Sequence, residues 1–221
     1  MAFSCLGQLT KTLGHGWQLT VEGVENFPPT GPAIVAANHV SFLDSPLLMF
    51  ELPRRVWFLG KAEYLESPVA RRLFPALGMI PVARDGRRAA LTAMRQGLAV
   101  LEVNECLGLY PEGTRSRDGR LYRGHTGLAW LAFKSGAPIV PIGIRGTDDV
   151  QPPGRRFPTL RGDCSIRIGE PVQTKRYDGR DRRNHRILTD EVMFEIAQLS
   201  GQTYADRYAD LATGDGSSAD A

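Results

Sequence analysis

A short apolar run that stops abruptly at polar residues constrains this chain more than any other feature. Ala33-Ile34-Val35-Ala36-Ala37 lacks polar alternation and is too short for a helix, the pattern of a strand covered on both faces. Asn38-His39-Val40-Ser41-Phe42-Leu43-Asp44 follows at once, and Ser45–Phe50 has the apolar density of a buried helix. His39 is therefore expected at the carboxyl end of a strand, where open α/β sheets form their ligand crevices. Asp44 falls in or near the first helical turn, close enough to fold back towards the imidazole.

Two chemistries fit those seven residues. A neutral imidazole takes a proton from a hydroxyl near physiological pH, and works best when a carboxylate fixes its tautomer. No activated Ser or Cys stands nearby, so the hydroxyl would belong to a substrate. The same stretch also reads as a capping box, with Ser41 and Asp44 satisfying the first amides of a helix and His39 a loop residue.

The rest of the chain repeats the strand-then-helix alternation. Val56–Gly60, Gly78–Val82, Cys106–Tyr110, Pro138–Ile144 and Cys164–Ile168 read as strands. Ser67-Pro68 opens a short helix limited by Pro75, Arg87–Val103 is amphipathic, and Leu128–Phe133 lies in a helix closed by Gly136. Asp148–Gly162 reads as a surface loop, Tyr177–Arg186 as a charged connector and Thr189–Leu211 as a final helix. The fold class is α/β: a single domain whose mostly parallel, mixed sheet is covered by helices. The expected divisions are an N-terminal amphipathic segment over 1–29, one domain over 30–212 and a disordered tail over 213–221.

Composition removes several function classes. The net charge is +3 on 221 residues, with arginines dispersed and balanced by 24 acids, so nucleic acid is not an expected partner. Cys5, Cys106 and Cys164 and the four histidines show no metal-ligand or disulfide spacing, and no metal is expected. No apolar run is long enough to span a bilayer, and residues 1–17 lack the basic start and continuous apolar core of a secretory signal. Phe3, Leu6, Leu9, Leu13 and Trp17 form a near-helical stripe that would lie on a membrane surface or on the domain itself. Arg54–Phe74 mixes basic and apolar residues and is a second candidate for lipid contact.

A second constellation joins the first. Tyr110-Pro111-Glu112-Gly113-Thr114-Arg115-Ser116 follows another strand and should share its crevice edge with His39. The turn offers backbone amides, a hydroxyl and a guanidinium, the parts of an anion cradle. Arg84 leaves a third strand end. In order, Asn38-His39-x-Ser41-x-x-Asp44, Gly78–Arg84, Tyr110–Ser116 and Val140-Pro141-Ile142 resemble the four blocks of the glycerolipid acyltransferase family, typified by PlsC-type 1-acylglycerol-3-phosphate acyltransferases. The His-x4-Asp block and the Glu-Gly-Thr-Arg block are specific; the other two are weak alone. Tyr110 stands where Phe is common, and Pro81-Val82-Ala83 precedes the block-two arginine.

The resemblance implies a glycerol-3-phosphate acyltransferase-like fold and an enzyme of phospholipid biosynthesis. His39 would be the general base for the acceptor hydroxyl and Asp44 its orienting partner. Arg84, Glu112, Gly113, Thr114 and Arg115 would hold the substrate phosphate, and Val140, Pro141 and Ile142 would shape the wall of the site. The expected substrates are a lysophospholipid and an acyl thioester, with acyl-CoA or acyl carrier protein as co-substrate and no bound cofactor. A lipid substrate places the protein at a membrane surface, peripherally and on its cytoplasmic face, without a transmembrane helix. Rival readings are transfer to another lyso-lipid or glycolipid, and hydrolysis of the thioester by water activated at His39.

Overall fold

The computed structural model describes residues 16–61, 71–72, 78–82, 86–152, 154–155, 157–159 and 161–210, without the side chains of Lys61 and residues 86–88. Nine strands and five α-helices follow in chain order: β1 Gly16–Glu22, β2 Ala33–Ala37, α1 Asp44–Glu51, β3 Val56–Lys61 and β4 Met79–Val82. Next come α2 Gly86–Glu102, β5 Cys106–Leu109, β6 Leu121–Tyr122, α3 Gly127–Ser135 and β7 Ile139–Arg145. The chain ends in the short α4 Thr147–Val150, β8 Arg161–Ile168, α5 Arg182–Ser200 and β9 Tyr204–Ala205.

Seven strands form one sheet in the order β1-β8-β7-β2-β5-β3-β4. The five strands from β7 to β4 are parallel; β8 runs antiparallel to β7, and β1 is parallel to β8. β6 and β9 pair separately. The sheet is thus mixed and mostly parallel, as expected.

Alternation along β2 shows why both faces must be covered. Ile34 and Ala36 pack with Leu101, Leu107, Leu131, Leu188 and Ile196 under α2, α3 and α5. Ala33, Val35 and Ala37 pack on the other face with Phe27, Leu47, Leu48 and Leu52, around α1. All five β2 residues are completely buried. Removing that much apolar surface from water supplies the main driving force for the fold.

Several expected boundaries move. Trp17, read as part of a helical stripe, lies in β1, and its indole donates to the Thr159 carbonyl at 2.7 Å. Residues 16–22 therefore belong to the domain's sheet and not to a separate segment ending at 29; residues 1–15 and 211–221 lie outside the described residues. The connector over 177–186 is shorter, because α5 starts at Arg182 with Asp181 as its N-cap, its carboxylate accepting the Arg183 amide. That helix stops at Gly201 (φ 68°), whose left-handed conformation ends it ten residues before Leu211. The helix expected over 67–75 lies largely outside the described residues. Phe58 is buried in β3 and Trp57 packs half-buried under Arg55, so this pair belongs to the fold and not to a lipid-facing surface.

Candidate active site

The five parallel strands β7, β2, β5, β3 and β4 end on one edge, and the polar turn after β2 is built around Asp44. This carboxylate is completely buried. Its Oδ2 accepts from His39 Nδ1 at 2.8 Å, from the Val40 amide at 2.8 Å and from the Ser41 amide at 2.9 Å. Its Oδ1 accepts from the Thr147 hydroxyl at 2.6 Å. Four donors replace the water that burial removed, which a buried carboxylate requires. The capping reading is partly realised, since Asp44 does take the Ser41 amide. Ser41 Oγ instead donates to the Gln151 carbonyl at 3.0 Å. One side chain performs the local turn function and the pairing with His39 together.

A carboxylate only accepts, so Nδ1 of His39 carries the ring proton and Nε2 keeps its lone pair. Among the described residues Nε2 has no hydrogen-bond partner, and the ring is 17% exposed. Tyr110 supports it from below: the rings stack at 3.9 Å with an interplanar angle of 8°. The Tyr110 hydroxyl meets Ser45 Oγ on α1 at 2.8 Å. Burial, and then the charge of Asp44, hold that phenol well above its ordinary range, so it stays neutral. Gly108 makes room for the Phe58 ring, which a Cβ there would meet at 2.3 Å, and Phe58 in turn abuts Tyr110. Asn38 closes the other side, exchanging two hydrogen bonds with the Ile144 backbone at 2.7 and 2.9 Å.

The loop after β5 lies against this turn. The Ser116 amide donates to the His39 carbonyl at 2.7 Å, and the His39 amide donates to Glu112 Oε1 at 3.1 Å. Gly113 turns the loop with φ 76°, a conformation that favours glycine. It is exposed, with Thr114 and Arg115 half-buried beside it. The structure thus brings His39, Asp44 and the Gly-Thr-Arg turn to one edge. Arg84 lies outside the described residues.

Two groups of expected site residues lie inside the fold. Glu112, expected to hold the phosphate, is completely buried, and its Oε2 accepts the Tyr122 amide at 2.9 Å while Oε1 holds the His39 amide. Through those two bonds the Glu112 carboxyl ties the turn after β2 to β6. Burial pushes it from an ordinary 4.5 up to about 7, against the two amides. Val140, Pro141 and Ile142, read as a site wall, are all buried in β7, with Val140 and Ile142 in the core under α1. They stiffen the strand beside β2 without lining an open surface.

Thr147 is the functional residue that sequence reasoning missed. It stands 103 residues from Asp44 on α4, completely buried, in no motif with the residues it serves. Other reactive side chains are spoken for. Burial pushes the Cys106 and Cys164 thiols up to about 11 and about 12, so neither is a nucleophile. His125 packs on the Glu-Gly-Thr-Arg loop, its ring 3.2 Å from where a Gly113 Cβ would sit, and stacks on Tyr208 at 4.8 Å. Among the described residues no cluster of three His, Cys, Asp or Glu is placed to hold a metal ion. A groove lined by Trp130, Phe133, Lys134, Arg180 and His185 lies at the opposite edge, where α3 leads into the start of β7.

Known proteins are similar to this chain. A family model described as Acyltransferase matches residues 18–145, which include His39, Asp44 and the Gly-Thr-Arg turn. The chloroplastic 1-acyl-sn-glycerol-3-phosphate acyltransferase BAT2 of Brassica napus is 29% identical over 183 residues, 82% of this chain and 51% of that protein. The 1-acyl-sn-glycerol-3-phosphate acyltransferase alpha of Mus musculus is 31% identical over 162 residues, 73% of this chain and 57% of that protein. The chain spans about half the length of the curated relatives it matches. The crystal structure of the 1-acyl-sn-glycerophosphate acyltransferase PlsC from Thermotoga maritima is similar with a TM-score of 0.69 and 29% identity, covering 88% of this chain and 79% of that one. On the match over more than half its length, this chain belongs to the acyltransferase family.

Proposed function

We propose that this chain moves a fatty acyl group from acyl-CoA or acyl carrier protein to the free hydroxyl of 1-acylglycerol-3-phosphate, giving phosphatidate. The observation that carries the reading is the His39–Asp44 pair, a 2.8 Å hydrogen bond from a partly open imidazole to a fully buried carboxylate. It leaves Nε2 as the acceptor for a substrate proton. Relatives named as 1-acyl-sn-glycerol-3-phosphate acyltransferases support the choice of acceptor.

The chemistry then balances with the chain's own groups. Nε2 of His39 takes the hydroxyl proton as the alkoxide oxygen attacks the thioester carbonyl carbon. A carbon–oxygen bond forms, the tetrahedral oxyanion collapses, and the carbon–sulfur bond breaks. The departing thiolate recovers the proton from the imidazolium, whose charge Asp44 stabilises meanwhile. Arg115 and Arg84, with the exposed turn at Gly113 and the hydroxyl of Thr114, hold the glycerol phosphate, bidentate guanidinium contact being well suited to that group. Water needs no such grip, which favours a phosphorylated acceptor over thioester hydrolysis.

Product analysis tests this directly. Incubation with lysophosphatidate and long-chain acyl-CoA, and in parallel with acyl carrier protein thioesters, should give phosphatidate and free thiol in equal amounts. Thiol release without acylated lipid would replace transfer by hydrolysis.

A further inference from the structure

The edge that carries His39 also carries the most exposed large apolar side chain among the described residues, Phe157 at 70%. We propose that Gly154, Arg155 and Phe157, between α4 and β8, form a bilayer anchor that seats this edge on an anionic lipid surface, with Phe157 as its inserting side chain. The proposal rests on the reading of the acceptor as a membrane lipid.

The base of the loop is rigidly tied. The Thr159 amide donates to the Val150 carbonyl at 2.7 Å, and the Gln151 amide donates to Thr147 at 2.8 Å. The Trp17 indole donates to the Thr159 carbonyl, and Ser41 Oγ donates to the Gln151 carbonyl. Two of these contacts reach Ser41 and Thr147, beside the Asp44 carboxylate. At the tip Gly154 (φ 83°), Arg155 and Phe157 are all exposed. Phe42, between His39 and Asp44, adds a second aromatic exposed by 37%.

Position and charge choose the occupant. β8 runs antiparallel to β7, so its first residue, Arg161, returns to the edge where β7 ends, and Gly16 opens β1 opposite it. Arg145, Arg155 and Arg161 are exposed here and form a basic rim, tempered by Asp149 and Asp163. Aromatic side chains flanked by arginine suit the headgroup level of an anionic membrane. Val103, 67% exposed, lies at the opposite edge just before β5, between Glu102 and Glu105, where an anionic surface is repelled.

The full chain would be sedimented with vesicles of phosphatidylcholine, alone and mixed with phosphatidylglycerol. Wild type should bind the mixed vesicles, and Phe157→Glu should lower its partition coefficient about tenfold, the loss expected for an apolar side chain that no longer inserts. Arg155→Glu should weaken binding to mixed vesicles only, and Val103→Glu should change nothing. Wild type that stays in solution, Phe157→Glu that binds as wild type does, or an equal loss in Val103→Glu would each overturn the anchor. Thermal unfolding midpoints of the variants should match wild type, since all three side chains are exposed. Acyl transfer to a monomerically dissolved short-chain lysophosphatidate should be untouched by Phe157→Glu. A protein that binds vesicles through Phe157 but transfers no acyl group would leave the anchor standing and remove the reaction.

Discussion

The two turns that meet at the strand ends are built on opposite plans. At the β2 turn donors converge inside the chain: one buried carboxylate gathers four of them, and the imidazole is stacked on a buried phenol. At the β5 turn Gly113 is exposed and Thr114 and Arg115 are half-buried at the surface. The loop is tied from behind by Glu112, by the Ser116 amide and by the His125 amide on the Pro111 carbonyl. On the proposed function, the base would be oriented before a substrate arrives, while the anion cradle would be completed by one. Preorganisation at the first turn lowers the reorganisation cost of proton transfer, and openness at the second admits a charged headgroup.

If the plans differ in this way, damage to them should differ in size and in kind. Asp44→Asn should be the most severe, because an amide nitrogen would face donors that now converge on an acceptor. We expect kcat to fall by about 10³–10⁴-fold in a folded protein, as for loss of the orienting carboxylate in a catalytic triad. Arg115→Ala should leave kcat nearly intact and raise KM for lysophosphatidate, lowering kcat/KM by about 10–100-fold, the scale of one charge-assisted contact. Unchanged KM would make Arg115 a solvated loop charge and erase the contrast between the turns.

Glu112→Gln should be milder than either. A glutamine cannot accept from both the His39 and the Tyr122 amides, so the catalytic turn loses one tether and kcat should drop by about tenfold. The variant also isolates a pH effect. The folded state holds the Glu112 proton up to about 7, above its ordinary 4.5, so between those values it binds more protons than the unfolded chain. Wild-type stability should therefore decline as pH rises across that window, and Glu112→Gln should lose this slope in urea unfolding. Thr147→Val should be the mildest, costing about 1–2 kcal/mol of stability and a severalfold loss of kcat, with Thr147→Ser restoring both.

Legibility in the sequence followed the range of the interactions. β2, α1, β5 and the turns after them were readable, because apolar runs, helix starts and glycine turns are local signals. Thr147 was not, since its bond to Asp44 spans 103 residues and depends on β7 lying beside β2. For Glu112, residue type and position marked the loop, but only burial and two backbone partners show that it points inward. Trp17 fitted a helical stripe and still entered a strand, because pairing along β8 outweighed a short periodic pattern. Val140 and Ile142 were legible as strand residues, yet whether a strand residue lines a site depends on what covers it.

The most direct test of the account is acyl transfer to lysophosphatidate by wild type and by His39→Ala, with circular dichroism and thermal unfolding of both. The account predicts that wild type forms phosphatidate and that the variant, folded as wild type is, loses roughly 10²–10⁴-fold in rate. A folded His39→Ala protein that retains the wild-type rate would contradict it.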